Sequence, residues 1–526
     1  MSDSPLVAYI WSQTLQEAAD QLPYNLDRST LVHDLIRSLD LLDGTSGSSP
    51  TDEHGEGDSD RHEDEETALH LRSRSIEKGK GNLRSRARVI EPDMSLGTAQ
   101  SLRRYHDSDY VEFVLRESYP QSDDELGDEA GAEAEAKASG SDAGSASSAE
   151  YRPKKRRREV HGLEHDCPPF PLLRDYALQL ASATQTACRL VASGKAHAAV
   201  CWDGGRHHAL RSRASGFCYV ADAVLGIMLL TKEGRVRVRV DEGIPGGTQS
   251  SLVQNGQPNG DDELEHEQEH KHGDANKDEQ KDAGQNCKPD STSTPKTGRG
   301  AGTRAGARAR ARARVMYLDL DLHYGDGVAQ APDPLNPPLL ADLLPPATPH
   351  SGLPSPDTPN PFTLSIPLAA YPSASTYAAV FPSVNAIREA YRPDYVVLQL
   401  GADGLPHDRV GQYGAWSVDG PGGMLWVVDK VIEWGVPVVV LGGGGYNHPN
   451  TARAWARVTA KLLGEELTPD TEVPHHDHFA EYAPSFTLEV SESGAKDENK
   501  SQDIDKINET FNIIASRIGD IVAAHA

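Results

Sequence analysis

Four short apolar runs punctuate this chain: HAAVCW (197–202), RVMYLDL (314–320), DYVVLQLG (394–401) and VPVVVLGGGG (436–445). Each is a short apolar run, the last two rich in β-branched valine, that breaks off into polar or glycine-rich sequence. Segments with helical spacing lie between and after them, at 174–192, 216–230, 376–391, 422–434 and 451–463. Apolar strands alternating with helices predict an α/β domain with a mostly parallel central sheet flanked by helices. Sheets of this kind collect their ligands beyond the C-terminal strand ends. The residues just after each run are therefore where chemistry is expected.

One run fills with acid before it ends. In YLDLDLHYGDG (317–327) strand alternation puts Asp319, Asp321 and His323 on one face. Two carboxylates buried side by side are costly unless a cation or hydrogen bonds compensate. The plainer explanation, an acid capping the next helix, needs only one Asp. The pattern therefore predicts a metal site with Asp and His ligands, closed by a turn at Gly325 and Gly327.

The other runs end on residues of matching chemistry. His207 and His208 follow AVCWDGG, Asp403 follows VVLQLGA with Asp408 nearby, and Tyr446 follows the glycine run. Asp321, His323 and Asp403 are assigned as ligands, since one His, two Asp and an open position suit a catalytic ion. Adjacent histidines do not readily bind one ion as a pair, but they can carry protons beside it. Asp319 and Asp326 are then their partners, fixing each ring's tautomer. Metal-activated water would attack a carbonyl, a histidine would take its proton, and Tyr446 would donate to the developing oxyanion. The competing explanations are a solvated helix start for His207–His208 and a rim-packing aromatic for Tyr446.

Between these segments the composition changes. The chain has 526 residues, only 37% hydrophobic, and a net charge of −27. Tracts at 44–80, 121–159 and 241–314 are too polar to bury a core and are expected to be disordered insertions. They divide one domain into 1–43 with 81–120, then 160–240 with 315–490, followed by a C-terminal tail at 491–526 with helical character. The tract at 121–159 ends in the basic cluster RPKKRRRE, and the third ends in an Ala-Arg alternation at 304–314. A dense cationic patch in a polar tract predicts a nuclear-import signal. Much of the acid lies in the insertions, which disfavours direct nucleic-acid binding and suits basic partners. Five cysteines with no CxxC pair predict neither a disulfide framework nor a thiolate zinc site, hence a reducing intracellular compartment. No apolar run is long enough to span a bilayer, and the N-terminus lacks signal-peptide character.

Taken together, GGRHHALRSRASGFCYVADAVLGI, YLDLDLHYGDGV, LQLGADGLPHDRVG and LGGGGYNHPNTARAW resemble the class I zinc-dependent histone deacetylases. Weaker matches flank them: DRSTLVHDLI, YHDSDYVEFV and EHDCPPFPLLRDYA. The resemblance implies the arginase–deacetylase fold and hydrolysis of N6-acetyl-lysine in histone or other protein tails. It implies Zn2+ on Asp321, His323 and Asp403, and K+ bound by backbone carbonyls near Asp319, Asp321 and His323. His207 and His208 match the general base and acid, with Asp319 and Asp326 behind them, and Tyr446 matches the carbonyl-polarising tyrosine. Asp166 matches a rim carboxylate that holds the substrate backbone, Gly216 and Phe217 a tunnel lining, and Arg28 an arginine of an internal cavity. A role in chromatin regulation follows, as a transcriptional repressor within a corepressor complex, in the nucleus and also the cytoplasm, with no membrane partner.

Two departures stand out. Tyr324 replaces a second histidine of the family pattern. The proline-rich stretch 332–361 replaces a strand, a second tunnel aromatic and a Phe-Pro-Gly-Thr-Gly loop, and is expected to supply no central strand. Two other functions fit the same residues: a catalytically weak scaffold that binds acetylated tails or corepressors, and an amidohydrolase of acetylpolyamines.

Overall fold

The computed structural model describes residues 6–43, 86–116, 160–236, 312–331, 339–344 (backbone alone) and 352–525. The basic cluster at 153–159, most of the Ala-Arg run and nearly all of the three polar tracts lie outside the described residues. The described residues belong to one compact unit, drawn from 1–236 and 312–526.

Eight strands form a single sheet: β1 (Val7–Ile10), β2 (Arg88–Ile90), β3 (Ala198–Cys201), β4 (Val315–Asp319), β5 (Leu339–Leu344), β6 (Thr363–Pro367), β7 (Tyr395–Gln399) and β8 (Val438–Leu441). Their spatial order is β2-β1-β3-β8-β7-β4-β5-β6, and every pairing is parallel. The parallel α/β expectation therefore holds. All C-terminal strand ends share one edge, and β3, β8, β7 and β4 sit side by side at its centre.

The apolar runs are continuous because both faces of the sheet are buried. On β8, Val438 and Val440 enter one core while Val439 and Leu441 enter the other; Val396 and Leu398 of β7 alternate in the same way with Val397. Each such side chain contributes about 1.5–3 kcal/mol relative to exposure. One face is covered by α1 (Gln13–Ala19), α3 (Ala99–Leu102), α4 (Ser108–Val114), α5 (Leu173–Ala192) and α6 (Asp222–Glu233). The other is covered by α2 (Arg28–Ser38), α8 (Ala374–Tyr391), α9 (Met424–Glu433), α10 (His448–Leu462) and α11 (Ser501–Ala524), while α7 (Asp326–Ala329) is a single turn after β4. Among the described residues no helix is long and apolar enough to cross a membrane.

Two features differ from the sequence expectation. The proline-rich stretch does supply a strand: β5 pairs with β4 through Tyr317↔Leu339 and Leu318↔Leu340, and with β6 across a register shift between Leu340 and Leu343. Its sequence, LLADLL, contains no proline; Pro337, Pro338, Pro345 and Pro346 bound it without interrupting its backbone donors. The helix expected from 216 begins only at Asp222. Gly216 and Phe217 have φ of 52° and 63°, left-handed conformations that a right-handed helix cannot include.

The C-terminal helix α11 packs on α8, burying Ile507, Phe511, Ile514 and Ile518. The segment leading into it is fastened to the start of α8. Asp497 Oδ2 accepts from Ser373 N (2.8 Å), Ser373 Oγ (2.6 Å) and Thr376 Oγ1 (2.6 Å).

Candidate active site

Four adjacent strand ends deliver four pieces of one cluster. From β4 come Asp321 and His323, from β7 Asp403, from β3 His207 and His208, and from β8 Tyr446. Asp321 and Asp403 are buried. One donor atom from each of Asp321, His323 and Asp403 lies within 4.8 Å of the others. His323 Nδ1 is 2.7 Å from Asp403 Oδ2 and 3.4 Å from Asp321 Oδ1.

Backbone and side-chain donors hold both carboxylates in place. Asp321 Oδ2 accepts from Gly444 N (2.8 Å) and Gln399 Nε2 (3.0 Å), and Asp403 Oδ1 accepts from Leu322 N (3.0 Å). Glycine is required at 444, because a Cβ there would come within 2.5 Å of Asp403 Oδ2 and 2.9 Å of Asp321 Oδ2. Burial and the neighbouring Asp321 push the Asp403 carboxyl up to about 7. Burial opposes charge on His323 too, yet Asp403 and Asp321 lift it to about 11. Both shifts report concentrated negative charge. With two carboxylates and one imidazole nitrogen as donors, the residues fit a divalent zinc ion.

Each histidine of the pair leans on its own carboxylate. His207 Nδ1 is 2.8 Å from Asp319 Oδ2, and His208 Nδ1 is 2.8 Å from Asp326 Oδ1. Asp319 is fully buried and also accepts from Tyr317 Oη (2.7 Å) and from Asp321 N. The rings lie 4.0 Å apart between centroids, yet their environments differ. Burial opposes charge on His207, but Asp319 and Asp321 raise it to about 9. Burial and the adjacent His207 lower His208.

Tyr446 is buried, which holds its phenol well above the ordinary value and keeps it a hydrogen-bond donor. Its backbone is anchored by Asp408, whose Oδ2 accepts from Tyr446 N (2.6 Å) and Asn447 N (3.0 Å). Phe217 stands edge-on to Tyr446 (5.5 Å) and close to Tyr24 (4.1 Å), forming an aromatic wall at the rim. Gly216 packs against His208: a Cβ would meet its Cδ2 at 2.4 Å, and the φ of 52° also favours glycine. Asp166, half-buried, accepts from Gly216 N through Oδ2 (2.7 Å). Arg28 lies deeper, donating from Nη1 to the carbonyls of Gly443 (2.9 Å) and Gly445 (3.2 Å). Burial and the nearby Arg206 lower it to about 10.

Sequence reasoning passed over Gln399, Tyr317, Tyr24 and Arg206. Gln399 carried a signal, being the one polar side chain within VVLQL (396–400). Tyr24 carried none, because only tertiary folding brings it to Phe217.

A fully parallel α/β sheet with paired carboxylate–imidazole groups gathered at its C-terminal edge is the architecture of a hydrolytic enzyme built around a cation. The chain belongs to the histone deacetylase family: the model of the histone deacetylase domain matches residues 70–241 and 303–462, more than half of its length. It is similar to "Histone deacetylase 8" of Danio rerio, 29% identical over 361 residues, which cover 66% of this chain and 72% of that protein. It is also similar to "Histone deacetylase 6" of Arabidopsis thaliana, 27% identical over 437 residues, covering 82% and 69%. "Histone deacetylase clr6" of Schizosaccharomyces pombe is 25% identical over 432 residues, covering 81% and 78%. The chain is accordingly a hydrolase, a lysine deacetylase of the zinc-dependent class.

Proposed function

We propose that this protein hydrolyses N6-acetyl-lysine in histone tails or other proteins, with zinc held by Asp321, His323 and Asp403, and so takes part in transcriptional repression. The observation that carries the reading is the arrangement of two His–Asp pairs and a buried tyrosine around one Asp–His–Asp donor cluster. Zinc bound there would supply Lewis acidity, polarising the acetyl carbonyl and making water more acidic.

The chain's own groups account for the remaining steps. Asp166 at the rim would accept a substrate backbone N–H, and Phe217 with Gly216 would line the aliphatic lysyl stem. As water attacks the carbonyl carbon, one histidine of the 207–208 pair takes its proton, while Tyr446 Oη donates to the oxygen that gains charge. The carbon–nitrogen bond then breaks, and the departing lysyl amine takes a proton from a histidine. Acetate and free lysine result. Asp319 and Asp326 hold each ring through Nδ1, leaving each Nε2 for proton transfer. By the family resemblance, Arg28 would border an internal cavity through which acetate departs. Potassium near Asp319, Asp321 and His323 belongs to this reading through the family resemblance.

The test is metal analysis of purified protein together with deacetylation of an acetyl-lysine peptide. Zinc at one ion per chain and hydroxamate-sensitive turnover are expected; absence of both sinks the reading. Peptide binding with turnover unchanged by Tyr446→Phe would indicate a scaffold for acetylated tails or corepressors. Preference for free acetylated amines would indicate an acetylpolyamine hydrolase. Location is tested with a fluorescent fusion, expected to be mainly nuclear. Replacing 154–158 together with the arginines of 304–314 should shift it to the cytoplasm.

A further inference from the structure

The peptide just ahead of the histidine pair is gripped from both sides. Its N–H, that of Arg206, donates to Asp222 Oδ1 (2.8 Å), and its carbonyl, that of Gly205, accepts from Gln399 Nε2 (3.3 Å). Asp222 Oδ2 takes the preceding N–H as well, Gly205 N at 2.9 Å, together with Thr184 Oγ1 at 2.6 Å. Asp222 and Gln399 are both fully buried. Burial pushes the Asp222 carboxyl up, and its three donors pull against that shift. A buried carboxylate is tolerated where hydrogen bonds answer it, and here two of the three come from consecutive N–H groups of one loop.

Gln399 ends β7 and has its whole amide engaged. Oε1 accepts from Gly401 N (3.0 Å), and Nε2 divides its two protons between Gly205 O and Asp321 Oδ2 (3.0 Å). Turning the amide over would set its carbonyl against a carboxylate and a second carbonyl, so one orientation is fixed. One side chain thus holds the ligand carboxylate and, through the Gly205 carbonyl, the loop that carries His207. His207 Nε2 lies 3.7 Å from Asp321 Oδ1, the other oxygen of that same carboxylate. Both ends of that separation hang on Gln399, and Asp222 holds the loop end from the opposite side of the peptide.

We propose that Asp222 and Gln399 act as a peptide clamp: positioning residues that fix His207 against the ligand carboxylate of Asp321. The proposal rests on the deacetylase reading, in which water must sit within reach of a histidine Nε2 while the acetyl carbonyl is polarised beside it. A displacement of about 1 Å between such groups costs about a hundredfold in rate.

The full chain and its variants are loaded with zinc. Turnover is measured on an acetyl-lysine peptide, alongside zinc content, Tm and amide hydrogen exchange across 203–208. Asp222→Asn keeps the shape but deprives at least one backbone N–H of its acceptor. Its kcat should fall about 10–100-fold, with KM within about twofold and zinc retained. Gln399→Met releases the ligand carboxylate too, so kcat and zinc affinity should both fall about 10–100-fold. Because the two side chains grip one peptide, the double variant should lose much less than the product of the single losses. Gln399→Met should also speed exchange of the Gly205 and Arg206 amides about tenfold, although Gln399 bonds to neither. Thr184→Val, of nearly the same shape, removes one donor from Asp222 and should cost kcat a few-fold, so the test stands if the other variants do not fold. A lowered Tm with kcat unchanged in the zinc-loaded variants, or losses that simply multiply, overturns the clamp. A wild type without turnover on acetyl-lysine peptides, whose loop still exchanges faster in Gln399→Met, overturns the deacetylase reading and leaves the clamp standing.

Discussion

Two buried polar pockets of opposite charge meet at the same strand ends. The acidic one holds Asp319, Asp321 and Asp403; the basic one holds Arg28 and Arg206. A single loop serves both. Gly444 turns its N–H to Asp321, while Gly443 and Gly445 turn their carbonyls to Arg28. Successive peptides with alternating orientation can solvate an anion and a cation a few ångströms apart, provided no Cβ intervenes. The acidic pocket is organised for a cation, and on the basic side Arg206 Nε and Nη2 are buried donors without a partner. In a buried setting, charge of each sign is tolerated only where backbone dipoles or a counter-ion answer it.

The acidic pocket breaks most completely. Asp321→Asn or Asp403→Asn should abolish zinc binding and turnover together, read by metal analysis and peptide deacetylation; full zinc occupancy in either variant would refute the ligand assignment. Chelator treatment of the wild type should have the same effect on turnover, reversed by added zinc.

Next come the proton carriers and the oxyanion donor. Tyr446→Phe and His208→Ala should each lower kcat by about 10²–10³ with zinc retained. A variant with normal kcat would remove that residue from the mechanism. Asp319→Asn keeps the shape but weakens the grip on His207 Nδ1, and should cost about 10–100-fold in turnover or metal affinity.

On the basic side, Arg28→Met removes the donor from two carbonyls of the glycine loop. Because that loop carries Tyr446, turnover should fall about tenfold while zinc content stays normal. Zinc loss in this variant would show that the two pockets are not separable.

Asp497 provides a control remote from both pockets. Burial alone would raise its carboxyl, but hydrogen bonds from Ser373 and Thr376 hold it down to about 2. Its contribution is therefore complete above the unfolded value of about 4 and is lost as pH falls through about 2. Asp497→Ala should lower stability by about 1 kcal/mol at neutral pH, seen as a Tm lower by a few degrees, with zinc content and kcat unchanged. The Tm difference from wild type should shrink as the pH is lowered toward 2.

Much of the fold could be read directly from the chain, for physical reasons. β3, β4, β7 and β8 are short, apolar and buried on both faces, so their hydrophobic pattern is local and strong. The N-terminal strand β1 and the edge strand β2, four and three residues long, left no comparable pattern. β5 was hidden by the prolines on either side of it, since composition averaged over thirty residues masks six that pair. The late start of α6 was equally hidden, because positive φ at Phe217 is imposed by packing and not by its residue type.

The same division runs through the site. Local sequence determined which residues carry chemistry: alternation joins Asp319, Asp321 and His323, and each remaining strand end displays its own polar group. Sequence order alone did not say that β8 lies between β3 and β7, and that placement sets Tyr446 and the glycine loop between the histidines and Asp403. Nor did it reveal that Gln399 steadies Asp321, that Asp408 anchors Tyr446, or that Arg206 points an unanswered edge into the interior. Strand pairing, burial and hydrogen-bond completion join residues tens to hundreds of positions apart. Those relations exist only once the chain has folded, and they convert a set of polar residues into two pockets of opposite charge.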